Sequence, residues 1–324
     1  MSTPTLPQAR SHYLRQRSLA ALAVAAVRRL FARNRPLSEV VATVSAYQLA
    51  SATASTQTVA GWADAQSALT AASAFAGVSS MGFPISEPIV ATIDRFVPAP
   101  LEPLPANWWD DASEFMASVE QLIASEVADA GRTASQVEIA VRPDWQNYVR
   151  MLTPPSCARC AILAGRIYRD LDAFDRHPLC DCVMVPVQNW QAAHDAGLVS
   201  SFDDLFKKGK LGGNRTLPDG SKKWEPGLSV ADSRAIKDGA DPIEVVNATR
   251  GTSQPGITNA LRVDIFGHKG VKATTYGTTK RAQWRKRNPN RPIRLRPEAI
   301  YALAKEDRAE ILRLLRLYGY LKTS

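Results

Sequence analysis

The sequence has no apolar run long enough to cross a bilayer. The run Leu19–Val27 is nine residues and mostly alanine, well short of the roughly 20 a membrane helix needs. Arg28 and Arg29 follow it without a cleavage site, so it does not read as a secretory signal, and the chain is expected to be cytoplasmic when made. Cysteine is scarce: there are four, all between Cys157 and Cys182. Without a secretory signal, oxidation of these thiols is not favoured. Neither Gly-x-Ser-x-Gly nor His-Glu-x-x-His occurs, which removes the usual local signatures of a serine hydrolase and a zinc protease. Carboxylates are missing from residues 265–297 altogether.

What remains is an ordinary soluble composition on a chain long enough for two domains. Of 324 residues, 45% are hydrophobic and 22% charged. The net charge of +9 favours acidic partners, either nucleic acid or an acidic protein surface.

Helical patterning dominates the first third. Residues 8–33 read as a helix, broken at Asn34-Arg-Pro36. A second, rich in Ala, Ser and Thr, runs from Leu37 towards Phe75 with Ser38 as candidate N-cap and a break near Gly61. Small side chains suit close helix packing, within the chain or against another subunit. Six prolines between Pro84 and Pro105 predict a linker or extended arm. Trp108-Trp-Asp-Asp111 opens a helix that Gly131 should end. Thr133 caps another to Val141, resuming from Asp144. Residues 207–227 read as a Gly- and Lys-rich loop with Trp224 as an anchor. Two short helices follow at Ser229–Lys237 and Pro242–Thr249, and a final one runs from Pro297 to its stop at Gly319. The predicted class is α+β, mainly α-helical, with a helical N-terminal region (1–82), a Pro-rich linker (83–107) and a C-terminal domain (108–324).

The chemistry concentrates in one block. Cys157-Ala-Arg-Cys160 is followed, sixteen residues on, by His177-Pro-Leu-Cys-Asp-Cys182. Cys157/Cys160 and His177/Cys180 form two pairs, each separated by two residues, the spacing of a tetrahedral structural zinc site. Cys180 and Cys182 sit two apart, so on an extended segment both thiols face one side. Five ligand-type residues thus compete for four positions: Cys157, Cys160, His177 and Cys180, with Cys182 able to replace His177. The alternatives are disulfides or buried thiols. Apolar runs at Ala161–Tyr168 and Val183–Val187 suggest a small β-hairpin clipped by the metal.

Asp144-Trp145, Cys157-x-x-Cys160, Leu163-Ala-Gly-Arg-Ile-Tyr168 and His177-Pro-Leu-Cys-Asp-Cys182-x-x-x-Pro186 together resemble the MuF-type minor head proteins of tailed bacteriophages. Ala235–Gly251 and Gly277-Thr-Thr-Lys-Arg281 resemble the version found in phages of actinobacteria, often labelled a capsid maturation protease. The resemblance runs from about residue 144 to the C-terminus, with the motif block at 144–187. It implies a MuF-like C-terminal domain and a role in prohead assembly and head morphogenesis. The implied partners are the portal, major capsid and scaffold proteins, with packaged DNA as a further one and no membrane. The implied location is the host cytoplasm during assembly, then the prohead and virion head.

Residues 265–297 hold ten cations, with Tyr276 and Trp284 among them. Lys280, Arg281, Trp284, Arg285, Lys286, Arg287, Arg291 and Arg294 are the candidate nucleic-acid contacts, since cations neutralise phosphates and aromatics stack on bases. A basic face docked on acidic protein fits the same charges. Two functions therefore compete: a structural minor head protein, and a maturation protease acting on scaffold or capsid protein. For the second, His268 with Asp264, or Cys157 or Cys160 with His177, are the candidate sets, and no catalytic residue is assigned. A free nucleic-acid-binding regulator is weaker, because no recognised DNA-reading motif is present.

Overall fold

The computed structural model describes residues 3–96, 113–143, 145, 147–169, 182–216, 222–225, 227–249, 260–275 and 293–321. It is an α+β protein dividing into two compact units. The first comprises residues 1–154, 163–200 and 214–223; the second comprises 155–162, 201–213 and 224–324. No helix among the described residues is long and apolar enough to cross a membrane.

Unit one is led by helices α1 (Leu6–Ala32), α2 (Leu37–Trp62), α3 (Ser86–Phe96) and α4 (Ser113–Ala140). Thr5 and Gln8 form a reciprocal capping box at the start of α1, which satisfies two orphan amide donors. Pro36, not Ser38, occupies the N-cap of α2 and makes no side-chain cap bond. That helix stops at Trp62, beside Gly61, and only a short 3₁₀ turn forms at Ala72–Phe75. The proline-dense segment is not wholly extended: α3 forms within it and packs on α4. Pro88 lies in the first turn of α3, where an amide donor would be unsatisfied anyway.

Gly131 does not end a helix. It lies inside α4, which is continuous from Ser113 to Ala140 past Thr133. A Cβ built at Gly131 would stand 2.4 Å from Ser51 Oγ and 2.9 Å from Ser55 Oγ on α2. The glycine is therefore where α4 packs closely on α2, its Cβ position facing two serine hydroxyls and, at 3.2 Å, the Ser51 carbonyl. Below this crossing, Val27, Val44, Ile89, Ile123 and Val127 form one core, and Phe115 meets Phe31 and Phe96 edge-on, each at 5.8 Å. The close packing of small residues expected of α1 and α2 is thus realised within the chain.

The segment after α4 is a strand, β1 (Asn147–Met151), and not a resumed helix. It separates β2 (Ile167–Arg169) from β3 (Val183–Val187) in an antiparallel sheet of order β2-β1-β3. The two runs expected to pair with each other therefore both pair with β1. Pro186 is tolerated because β3 is an edge strand. Val149, Met151, Val185 and Val187 pack with Trp62, Ile139 and Trp145 in a second core. A short helix with Asn189 as N-cap follows β3 at Trp190–Asp195.

Unit two has its own core around Val245, Ala273, Leu295, Ile300, Ile311 and Leu315. It contains the short helices α5 (Ala158–Leu163, reaching one residue into unit one), α7 (Phe202–Lys207), α8 (Val230–Lys237) and α9 (Pro242–Ala248), the Trp190–Asp195 helix being α6. Ser229 and Asp241 cap α8 and α9 as turn-favouring residues should. The expected loop at 207–227 contains a strand pair, β4 (Gly213–Thr216) and β5 (Lys222–Glu225), of which residues 214–223 count with unit one. A longer hairpin, β6 (Ala260–Ile265) and β7 (His268–Thr274), turns at Phe266 and Gly267, both with positive φ, the conformation that matches strand twist. β8 (Arg294–Leu295) adds to β7. The predicted terminal helix is two, α10 (Pro297–Ala304) and α11 (Arg308–Leu317). Lys305 at φ 52 breaks the helix and Asp307 caps a new one.

Candidate metal centre and basic surface

Cys157 is held from outside its own helix. The Ser156 amide donates to Lys210 O at 3.1 Å, and Gly212 N donates to Ser156 O at 2.9 Å. Cys157 directly precedes α5, and its Sγ accepts the Cys160 amide at 3.3 Å. Both side chains are buried. Two ligands of the predicted set therefore share one turn, as the two-residue spacing requires.

Cys182 is also buried, beside β3 in unit one. Its neighbour is Tyr168, whose phenol donates to Leu163 O at 2.7 Å and stacks on Tyr148 with ring centroids 5.4 Å apart. Burial pushes the Tyr168 phenol upward and the charge of Cys182 adds to this, while Arg150 and Arg166 oppose it. His177 and Cys180 lie outside the described residues. Among the described residues no three His, Cys, Asp or Glu converge as a metal site would require.

Of the eight basic-segment candidates, Lys280, Arg281, Trp284, Arg285, Lys286, Arg287 and Arg291 lie outside the described residues. Arg294 is described, and it is a core residue at 1% exposure. Its Nε donates to Tyr318 O at 3.1 Å, its Nη1 meets Glu244 at 3.0 Å, and its guanidinium lies 4.6 Å from the Tyr320 ring. A phosphate could not reach it, so any nucleic-acid face must form without it. Arg296 likewise pairs with Glu298 at 2.7 Å. Lys269 and Lys272 on β7 do face solvent.

The histidines separate clearly. His268 opens β7 in the open, and the Asp264 carboxylate accepts the Gly270 amide at 2.9 Å, serving the hairpin turn. His194 is exposed, stacked on Trp190 at 5.0 Å beside Asp195. His12 is the one the sequence reading passed over. It is 3% exposed between α1, α2 and α4. Gln16 Nε2 lies 3.1 Å from its Nε2 and donates to Ser55 Oγ at 3.0 Å. Ser135 Oγ, 3.4 Å from the same nitrogen, donates to Gly131 O. Burial lowers the imidazole pKa to about 4, and Arg15 adds to the effect. The available signal was the i, i+4 pairing of His12 with Gln16 on the stripe that carries Ala9, Ala20 and Ala23.

Together these features define a protein whose buried polar groups hold helices and strands in place, with a cysteine-bearing turn as its most distinctive chemistry. Residues 4–208 match the family model described as VG15 protein. The chain belongs to that family, a phage gene-product family, and is a phage virion-related protein. No curated protein and no solved structure matches it.

Proposed function

We propose that the protein is a minor head protein of a tailed phage that acts in prohead assembly near the portal as a structural component of the head. The observation supporting this reading is a coincidence of segments. The motif block resembling MuF-type proteins, 144–187, falls wholly inside the 4–208 match to a phage family. The described side chains with shifted titration in unit one have structural partners: His12 sits in a helix junction, and Glu126 and Glu138 accept loop amides at Ser80 and at Leu69 and Thr70. The test is a deletion of the gene complemented by wild-type protein. The expected result is a head-assembly defect with normal sizes of scaffold and capsid polypeptides. Cleavage of either polypeptide by purified chain, lost in Cys157→Ser or His268→Ala, would replace this reading with the protease.

The cysteine block is proposed to hold one structural zinc ion, with Cys157 and Cys160 as ligands and His177, Cys180 and Cys182 competing for the remaining positions. Cys157→Ser or Cys160→Ser should lower metal content and loosen the local fold, since such sites contribute folding energy directly. Purified protein without metal by elemental analysis contradicts it. The basic segment is proposed to touch packaged DNA without reading sequence. Replacing Arg285, Lys286 and Arg287 by Ala should then reduce the log–log salt slope of binding by roughly three units if each meets a phosphate. An unchanged slope, with loss of incorporation into heads, would transfer the segment to an acidic protein partner.

A further inference from the structure

Residues 1–38 contain no Asp or Glu, yet they contain seven arginines. Most of that stretch is α1, one face of which is closed against α2 and α4. The opposite face is open. Arg10, Arg15, Arg29 and Arg33 are all exposed there, and among the described residues no ion pair involves them. Arg28, exposed on the same side, is taken by Glu120. Between the arginines, Leu14 and Leu22 stand 49% and 52% exposed. At 100° per residue these side chains occupy an arc of about 140°, with Leu14 and Leu22 inside it. Arg10 and Arg28 lie on one rim, Arg15 and Arg33 on the other. Ser18 lies between the leucines both along the axis and on the helical wheel, so the face is low there, and Arg29 carries the same stripe to a charged end.

We infer that the outer face of α1 is a docking surface for an acidic amphipathic helix of another protein. Half-exposed leucines eight residues apart, about 12 Å along the axis, supply apolar anchors; arginine rims around them supply charge steering and register. The occupant is not a second copy of this face, because arginine would meet arginine. Nor does the pattern suit nucleic acid, since phosphate neutralisation gains nothing from leucine in the centre of the face. A partner helix with two apolar residues at matching separation and carboxylates on both flanks answers every feature. This inference stands whether or not the chain is a minor head protein.

The test uses the full chain and a synthetic helical peptide of about 28 residues, long enough to lie along α1, with leucines on one stripe and glutamates on both flanks. Fluorescence anisotropy should show binding that weakens with salt. Leu14→Asp with Leu22→Asp should weaken it about tenfold or more, by removing the anchors. Arg15→Glu with Arg33→Glu should weaken it similarly, and that variant should regain affinity for a peptide with lysines in place of glutamates. All four positions are exposed, so both variants should melt like wild type, which separates lost docking from lost folding. Binding indifferent to the leucines, or absent altogether, overturns the proposal. So does tight binding of a duplex of about 20 bp that is abolished by the arginine variant and untouched by the leucine variant, which would make the face a phosphate site.

Discussion

The α1–α2–α4 junction and the core beneath β8 both bury polar side chains, with different chemistry. At the junction the side chains that meet His12 are neutral: Gln16, which donates on to Ser55, then Ser135 and the edge of Trp62 at 5.3 Å. The helices meet there through Gly131 and two serines, so contact is close. Beneath β8, Arg294 joins Glu244, the Tyr318 carbonyl and the face of Tyr320, whose hydroxyl donates to Leu295 O at 2.8 Å. That core tolerates a charge because one side chain ties α9, β8 and the chain end together. A histidine in the first setting must stay neutral; an arginine in the second must stay paired. One region should fail with acid and with added volume, the other with loss of a partner.

The largest effect should come from Arg294→Ala. Glu244 would keep its charge without its partner, and three elements would lose a common anchor. The expected loss is about 3 kcal/mol, the low end for a broken buried pair because the Glu244 side chain is 33% exposed. Faster amide exchange in β8 and α10 and unchanged exchange in α2 and α4 would keep the two regions distinct; equal loosening of both would merge them. Gly131→Leu should reverse that pattern. Its Cβ has 2.4 Å to Ser51 Oγ and 3.2 Å to the Ser51 carbonyl, so α2 and α4 must separate, at about 2 to 3 kcal/mol. A stabilised variant would mean that the glycine is only a weak helix former in an open position.

Acid sharpens the comparison further. The folded pKa of His12 is about 4, below its ordinary value near 6.5. The unfolded chain therefore binds a proton that the folded chain excludes, and stability falls as pH drops from about 6.5 towards 4. From pH 7.5 to pH 5 the loss should be about 2 kcal/mol, read by denaturant titration. His12→Gln should flatten this dependence. An equally steep profile in the variant would place the acid sensitivity elsewhere. The smallest effect belongs to the surface: Glu310→Ala, which removes the exposed pair with Arg313, should leave the melting temperature unchanged.

Legibility in the sequence followed the range of the forces involved. Breakers act within a few residues, so the end of α1 before Pro36 and the extents of α8 and α9 could be read directly, whereas the caps expected at Ser38 and Thr133 did not form. The two-residue spacing of Cys157 and Cys160 likewise placed both thiols on one turn. Gly131 misled because the same residue type stops a helix or permits close approach, and only the partner helix decides which. β1 escaped notice because Asn147–Met151 is short, and its pairing with both β2 and β3 is a long-range property. Lys305 gave no warning, since lysine rarely adopts positive φ. Arg294 sits in a run of cations, and nothing local distinguishes the one that turns inward to Glu244 from those around it.

The role proposed for this phage protein is that of a fixed part of the head. The direct measurement is quantitative mass spectrometry of purified proheads and mature virions from wild-type and deletion phage, read alongside the sizes of scaffold and capsid polypeptides. The expected result is this chain in both particles at a small fixed number per portal, with those polypeptides the same size whether or not it is present. Its absence from both particles, together with scaffold or capsid polypeptides left unprocessed when it is deleted, would contradict the structural role and identify a protease instead.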